Sequence, residues 1–214
     1  MIFPGEHVSV FGMTGSGKTT LTRKIASTFQ RRIIFDRLSE WDDSLVDAVV
    51  SDFGQFRDAY RVAHALPGFS IIVRAAPGTS QPDLVSLTDR IVELVYRIEA
   101  EDPVGIALIF EEVWLYAPLF QTPPWMLETL LTGRHHGISI IGNAQRAASV
   151  SKTLVSQSRH VFVGQFFETN DAKFYRETLG QHAFLNTPPP KFHFIWFRPG
   201  APDAERIQMI SVTP

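Results

Sequence analysis

The sequence predicts an α/β fold, a mainly parallel sheet with helices on both faces. Three observations carry that prediction. Short β-rich runs alternate with helical patterns along most of the chain. Several of those runs are apolar almost throughout, as strands buried on both faces must be. The 214 residues, 44% of them hydrophobic, are enough for one domain with a core on each side of a sheet. The expected organisation is a single domain over 1–214, with a core at about 6–180 and a C-terminal extension and hairpin at 181–214.

In chain order, strands are expected at His7 to Phe11, Arg32 to Phe35, Ser70 to Arg74, Ile106 to Phe110, Ile138 to Ile141 and Val161 to Val163. Leu84, Leu87, Ile91, Leu94 and Ile98 recur at three- and four-residue spacing, so Pro82 to Ala100 is expected as an amphipathic helix with its proline near the start. NTPPP reads as extended linker. KFHFIWF and RIQMISV alternate in polarity around Pro199-Gly200, which predicts an antiparallel hairpin at the sheet edge.

Composition excludes several classes. The formal net charge of -2 rules out a wholly cationic surface, so any DNA contact must use local loops. Without cysteine there are no disulfides and no thiolate metal sites. Of seven histidines only His135 and His136 adjoin, and sequence neighbours point apart, which disfavours a metal pair. No apolar run approaches the ~20 residues of a membrane span, and MIFPGEHVSV lacks the pattern of a signal peptide. The expectation is a soluble protein of the cytoplasm or of a particle.

The stretch Gly12 to Thr19 satisfies G-x-x-x-x-G-K-[ST] between an expected strand and a helical face made by Leu21, Ile25 and Phe29. Gly15 and Gly17 let backbone N–H groups converge on phosphate oxygens, and a helix N-terminus adds its dipole. Thr14, Gly15, Ser16, Gly17, Lys18, Thr19 and Thr20 are therefore the expected ATP-binding residues. Lys18 is expected on the β- and γ-phosphates, the Thr19 hydroxyl on Mg²⁺, and Thr20 near the α-phosphate.

The apolar run GIALIF ends in Glu111 and Glu112, the form of a Walker B strand. Glu111 is expected in the Mg²⁺ shell and Glu112 as the group that polarises the attacking water. The strand–helix unit from Ser70 to Ala100 lies between the phosphate loop and this pair, which points to RecA-like, additional-strand ATPases. The next strand, ISIIGNAQ, ends in Asn143 and Gln145; Gln145 is the expected sensor of the γ-phosphate.

Residues 133–180, GRHHGISIIGNAQRAASVSKTLVSQSRHVFVGQFFETNDAKFYRETLG, resemble the FtsK/HerA superfamily of DNA-pumping ATPases. That family shows an Arg and a Gly before an apolar strand ending T-Q-R-P, then a helix, an Arg, a strand, and an acidic turn with a helix. The counterparts are Arg134, Gly137, the strand ending Gln145-Arg146, SKTLVSQS, Arg159, HVFVGQF and TNDAKFYRETLG. Two positions depart from the pattern: Glu111 stands where the family commonly has Asp, and Ala147 where it has Pro. The size is that of a bare motor domain, resembling the genome-packaging ATPases of tailless, internal-membrane-containing viruses.

The resemblance implies a homo-oligomeric ring, a hexamer, with ATP at subunit boundaries and double-stranded DNA in the channel. It further implies docking at a capsid vertex or on membrane proteins of a virion, and a place in the virion or host cytoplasm. Arg134 matches the arginine that acts on the neighbour's γ-phosphate, a contribution of about 10³ to 10⁵ in rate; Arg146 and Arg159 are alternatives. Loops 77–82 and 146–152, with Arg146 and Lys152, are candidates for DNA contact. Two other readings stand beside the translocase: a nucleotide-controlled virion or phage assembly factor, and a small-molecule kinase. No N-K-x-D or LSGGQ-like motif points to a GTPase switch or an ABC ATPase.

Overall fold

The computed structural model describes residues 2–180, 187–201 and 206–213. In chain order the elements are β1 (His7–Phe11), α1 (Lys18–Ala26), β2 (Arg31–Phe35), β3 (Ala48–Val50), α2 (Phe53–Ala63), β4 (Phe69–Val73), α3 (Gln81–Glu101), β5 (Ile106–Phe110), α4 (Pro124–Thr132), β6 (Ile138–Ala144), α5 (Lys152–Gln157), β7 (Ser158–Val163), α6 (Thr169–Leu179), β8 (His193–Phe197) and β9 (Ile207–Ser211). They form one nine-stranded sheet in the order β3-β4-β2-β5-β6-β1-β7-β8-β9. Pairing is parallel from β3 to β7 and antiparallel across β7, β8 and β9. The expected parallel sheet and edge hairpin are both present; residues 181–186 of the expected extension lie outside the described residues, as does part of the hairpin connection.

The apolar runs became central strands because alternate residues feed two cores. Ile33, Phe35, Leu108 and Phe110 pack on the face covered by α2 to α6, whereas Val8, Val10, Ile34 and Ile109 pack on the face covered by α1. Helix starts are set by short polar contacts. Ser80 accepts a hydrogen bond from the Asp83 N–H at 3.3 Å and starts α3, and Asp52 accepts from the Gln55 N–H at 2.9 Å and starts α2.

One expectation is corrected by the sheet order. The strand standing between the phosphate-loop strand β1 and the acid strand β5 is β6, whereas the Ser70 strand, β4, lies on the far side of β2. The additional strand is there, but it is the polar-ended strand that follows the acids in sequence. Parallel register through β5, β6 and β1 then aligns Phe110 with Gly142 and Val10 with Asn143, bringing three strand ends to one edge.

At the opposite, amino edge, His7 is 4% exposed and its Nδ1 accepts the Ile140 N–H at 3.0 Å. Burial drives its pKa from 6.5 down to about 4. The unfolded chain therefore binds the extra proton first, so this contribution to stability is complete above pH about 6.5 and is lost as pH falls toward about 4. Denaturant unfolding followed between pH 8 and pH 4 should show that slope in the wild type and a flatter one in His7→Gln; equal slopes would remove His7 as the cause.

Candidate active site

Parallel strands send their carboxyl ends to the same edge, so the turns after β1, β5 and β6 meet in one crevice. After β1 the chain makes the phosphate-type loop. A Cβ at Gly12 would lie 2.7 Å from Ser16 Oγ and 3.3 Å from Gly164 Cα, so the backbone turns there with no room for a side chain. Gly17 caps α1 in the left-handed region at φ 97°. Lys18 follows, 8% exposed, with Nζ 3.4 Å from the Met13 carbonyl and 3.9 Å from Glu112 Oε1. Burial lowers the Lys18 pKa, opposed by the charges of Glu112, Glu111 and Glu40.

Glu111 and Glu112 point into the same crevice despite adjoining in sequence, because the chain leaves β5 with Glu112 at φ 55°, ψ 65°. Glu111 is 2% exposed; its Oε1 accepts from Trp41 Nε1 at 2.8 Å and its Oε2 from Asn143 Nδ2 at 2.5 Å. Burial raises its pKa, the two hydrogen bonds oppose that, and Asp36 and Glu40 add to it. Glu112 Oε2 accepts from Trp114 Nε1 at 3.0 Å and from the Gln145 N–H at 3.2 Å. Its remaining oxygen, Oε1, is the one facing Lys18.

The sequence reading singled out Gln145 and passed over Asn143. Gln145 is exposed and lines the cleft. Asn143 is fully buried and joins the parts: its Oδ1 accepts the Glu112 N–H at 2.9 Å, and its Nδ2 serves Glu111 and the Thr22 hydroxyl at 3.2 Å. The signal was an amide inside an apolar strand, since a buried amide must find partners. Asp36 and Trp41 were missed as well. Asp36 accepts the backbone N–H groups of Glu40 and Trp41 at 2.9 and 3.0 Å, and Arg74 Nη2 at 2.8 Å, folding the loop that carries Trp41 to Glu111.

The resulting cleft of about 360 Å³ is lined by Thr14 to Thr20 apart from the buried Ser16, by both acids and Gln145, and by Leu38, Glu40, Lys191 and Phe192. Among the described residues, the non-glycine residues with positive φ are Ser39, Glu112 and Phe192, and all three sit at this cleft or beside its lining. Strained backbone concentrates where a site over-determines it.

Arg134 is not brought to this cleft. It lies in the turn before β6 at the amino edge, its carbonyl against Gly5, and its exposed side chain lines a separate cleft of about 490 Å³ with Arg159 and Glu6. Arg159 Nε is 3.5 Å from Glu6 Oε1. Arg146 stays on the carboxyl edge, paired with Glu168, and Lys152 is 3.8 Å from Glu177.

Sheet order, loop and acid strand together define a P-loop NTPase fold of the additional-strand type. Among solved structures, the genome packaging NTPase B204 from Sulfolobus turreted icosahedral virus 2 in complex with ATP-gammaS superposes with a TM-score of 0.75 at 16% identity, over 99% of this chain and 100% of that one. B204, the DNA-packaging ATPase from Sulfolobus turreted icosahedral virus, gives 0.72 at 17% identity over 100% of both chains. VirB4 of Thermoanaerobacter pseudethanolicus gives 0.64 at 10% identity over 97% of this chain and 88% of that one. At these identities the likeness is one of fold, and the fold is the one that the FtsK/HerA resemblance implies. No protein-family model matches the chain, and no curated protein sequence does.

Asn143 positions both acids without lining the cleft. Asn143→Leu should therefore keep ATP affinity within about threefold while turnover drops by about tenfold or more, measured by calorimetry and phosphate release. An equal loss in both quantities would make Asn143 a binding residue instead.

Proposed function

We propose that the chain is a single ATP-hydrolysing motor domain over 1–214 that translocates double-stranded DNA, as a viral genome-packaging ATPase. The observation that carries this reading is the meeting of Lys18, Thr19, Glu111 and Glu112 in one cleft, with both acids bonded to Asn143, within a fold that matches a genome packaging NTPase along its whole length. That neighbour binds ATP-gammaS and AMPPCP.

In this reading Lys18 exchanges one anionic partner for another. At 3.9 Å it is the counter-ion of Glu112; phosphates arriving in the loop compete for its ammonium and leave Glu112 Oε1 to accept a proton from the attacking water. Gln145, beside Glu112 on the open side of the cleft, orients that water. The donors fit Mg²⁺. The Thr19 hydroxyl makes no hydrogen bond among the described residues and lines the cleft with Glu111, and Mg²⁺ takes few protein ligands beside substrate phosphates. Bound there, the ion supplies charge neutralisation at the phosphates, while Asn143 and Trp41 hold Glu111 in place.

A ring of identical subunits, a hexamer by the family resemblance, accounts for Arg134. Its exposed position at the amino edge leaves it nothing to do at its own Lys18 and suits it to a neighbour's site. Loops 77–82 and 146–152 follow β4 and β6 at the carboxyl edge and are the DNA-facing elements in this reading. Docking would be to a capsid vertex or virion membrane proteins, in the virion or host cytoplasm; among the described residues no helix is long and apolar enough to cross a membrane. The small-molecule kinase is not favoured, because β6 separates β1 from β5.

Double-stranded DNA should stimulate phosphate release by the purified protein, and Lys18→Ala should lose ATP binding. Glu112→Gln should bind ATP yet hydrolyse it about 100-fold more slowly or worse; an unchanged Glu112→Gln protein that still supports particle formation would favour the assembly-factor reading. Arg134→Ala should bind ATP and turn over slowly, and mixing it with Glu112→Gln subunits should restore part of the rate. If mixed rings stay as slow as Arg134→Ala alone, the arginine does not act across the boundary.

A further inference from the structure

The cleft continues past the phosphate loop on the side away from the acids. Across the sheet, β6 and β5 lie on one side of β1, and β7 and β8 lie on the other. The lining residues come from both sides: Glu111 and Glu112 follow β5, and Lys191 and Phe192 come just ahead of β8. A nucleotide whose terminal phosphate meets Glu112 must run its ribose and base toward β8.

Phe192 is built into that wall. Its N–H donates to the Ser16 carbonyl at 3.2 Å, and its carbonyl accepts the Val212 N–H at 2.8 Å, so the residue is clamped between the phosphate loop and the chain after β9. Its φ of 61° is left-handed, an uncommon state for an aromatic residue, and one that fixes the direction of the side chain. The ring lies over Gly17: a Cβ there would be 2.8 Å from Phe192 Cδ1. It is half-buried and lines the cleft, with Lys191 Nζ 5.0 Å from its centroid. A partly open aromatic face at the nucleoside end of a phosphate cleft offers a stacking surface that any base can use.

We propose that Phe192 is the nucleoside contact of this site, its ring packing on the base of the bound nucleotide. The inference rests on the nucleotide reading of the cleft given above. It ties the β8–β9 hairpin to site occupancy through one side chain, since the same residue carries the backbone bonds to Ser16 and Val212.

The test compares ATP with inorganic tripolyphosphate, which has the phosphates and no nucleoside, by calorimetry on wild type, Phe192→Ala, Phe192→Leu and Phe192→Trp, each checked by thermal melting. Alanine and leucine keep the Cβ, so the backbone carries the same conformational cost as in the wild type. Phe192→Ala should weaken ATP by about tenfold, the scale of a lost base–aromatic contact, and leave tripolyphosphate within about twofold. Phe192→Leu should fall between, and Phe192→Trp should retain ATP affinity. Equal weakening of both ligands would make Phe192 a support for the loop, and equal strengthening would make it a plug over the cradle; either overturns the proposal. A wild-type protein that binds neither ligand would overturn the nucleotide reading itself, and this inference with it.

Discussion

The buried amide of Asn143 is the constraint on which the rest of the site depends. It sits on β6, the strand between the loop strand and the acid strand, and bonds to both acids and to α1. An unpaired buried amide costs about 1–3 kcal/mol per lost partner, so the amide holds its neighbours to one arrangement. Shifting β6 by one residue relative to β5 or β1 would turn Asn143 to the other face of the sheet and orphan three groups together. Sheet register and site geometry are therefore the same specification, written in two places.

What the sequence makes legible follows from the range of the interactions involved. The phosphate loop is local: Gly12, Gly17 and Lys18 act through their own backbone and the helix they begin, and one short contiguous pattern carries all of it. β5 could be bounded from its apolar run because its burial is complete. β3 escaped because three residues hold no period, and α2 escaped although Asp52 and Gln55 form a readable cap. The intervening strand was misassigned because order along the chain is not order across a sheet. Trp41 and Phe192 were invisible for a related reason. Each reaches the cleft from a distant segment, through contacts that no local pattern encodes.

The two clefts lie at opposite edges of one sheet. A five-residue strand spans roughly 17 Å, so Lys18 and Arg134, beyond the two ends of the central strands, cannot meet within one molecule without breaking the sheet. At the carboxyl edge Glu111, Glu112 and Glu40 line the cleft with Lys18 and Lys191, whereas the amino edge carries Arg134 and Arg159 outward.

Glu112 has a consequence of a different kind. A non-glycine residue in the left-handed region costs about 1–2 kcal/mol, and here the side chain is also nearly buried beside another carboxylate. Folding free energy alone would favour glycine at this turn, which adopts the conformation freely and carries no charge. Keeping glutamate means that the molecule sits below its attainable stability at one identifiable residue. The position is a local conflict between fold and chemistry, and the hydrogen bond that Glu112 N–H donates to Asn143, with those it accepts from Trp114 and Gln145, is what makes that conflict tolerable.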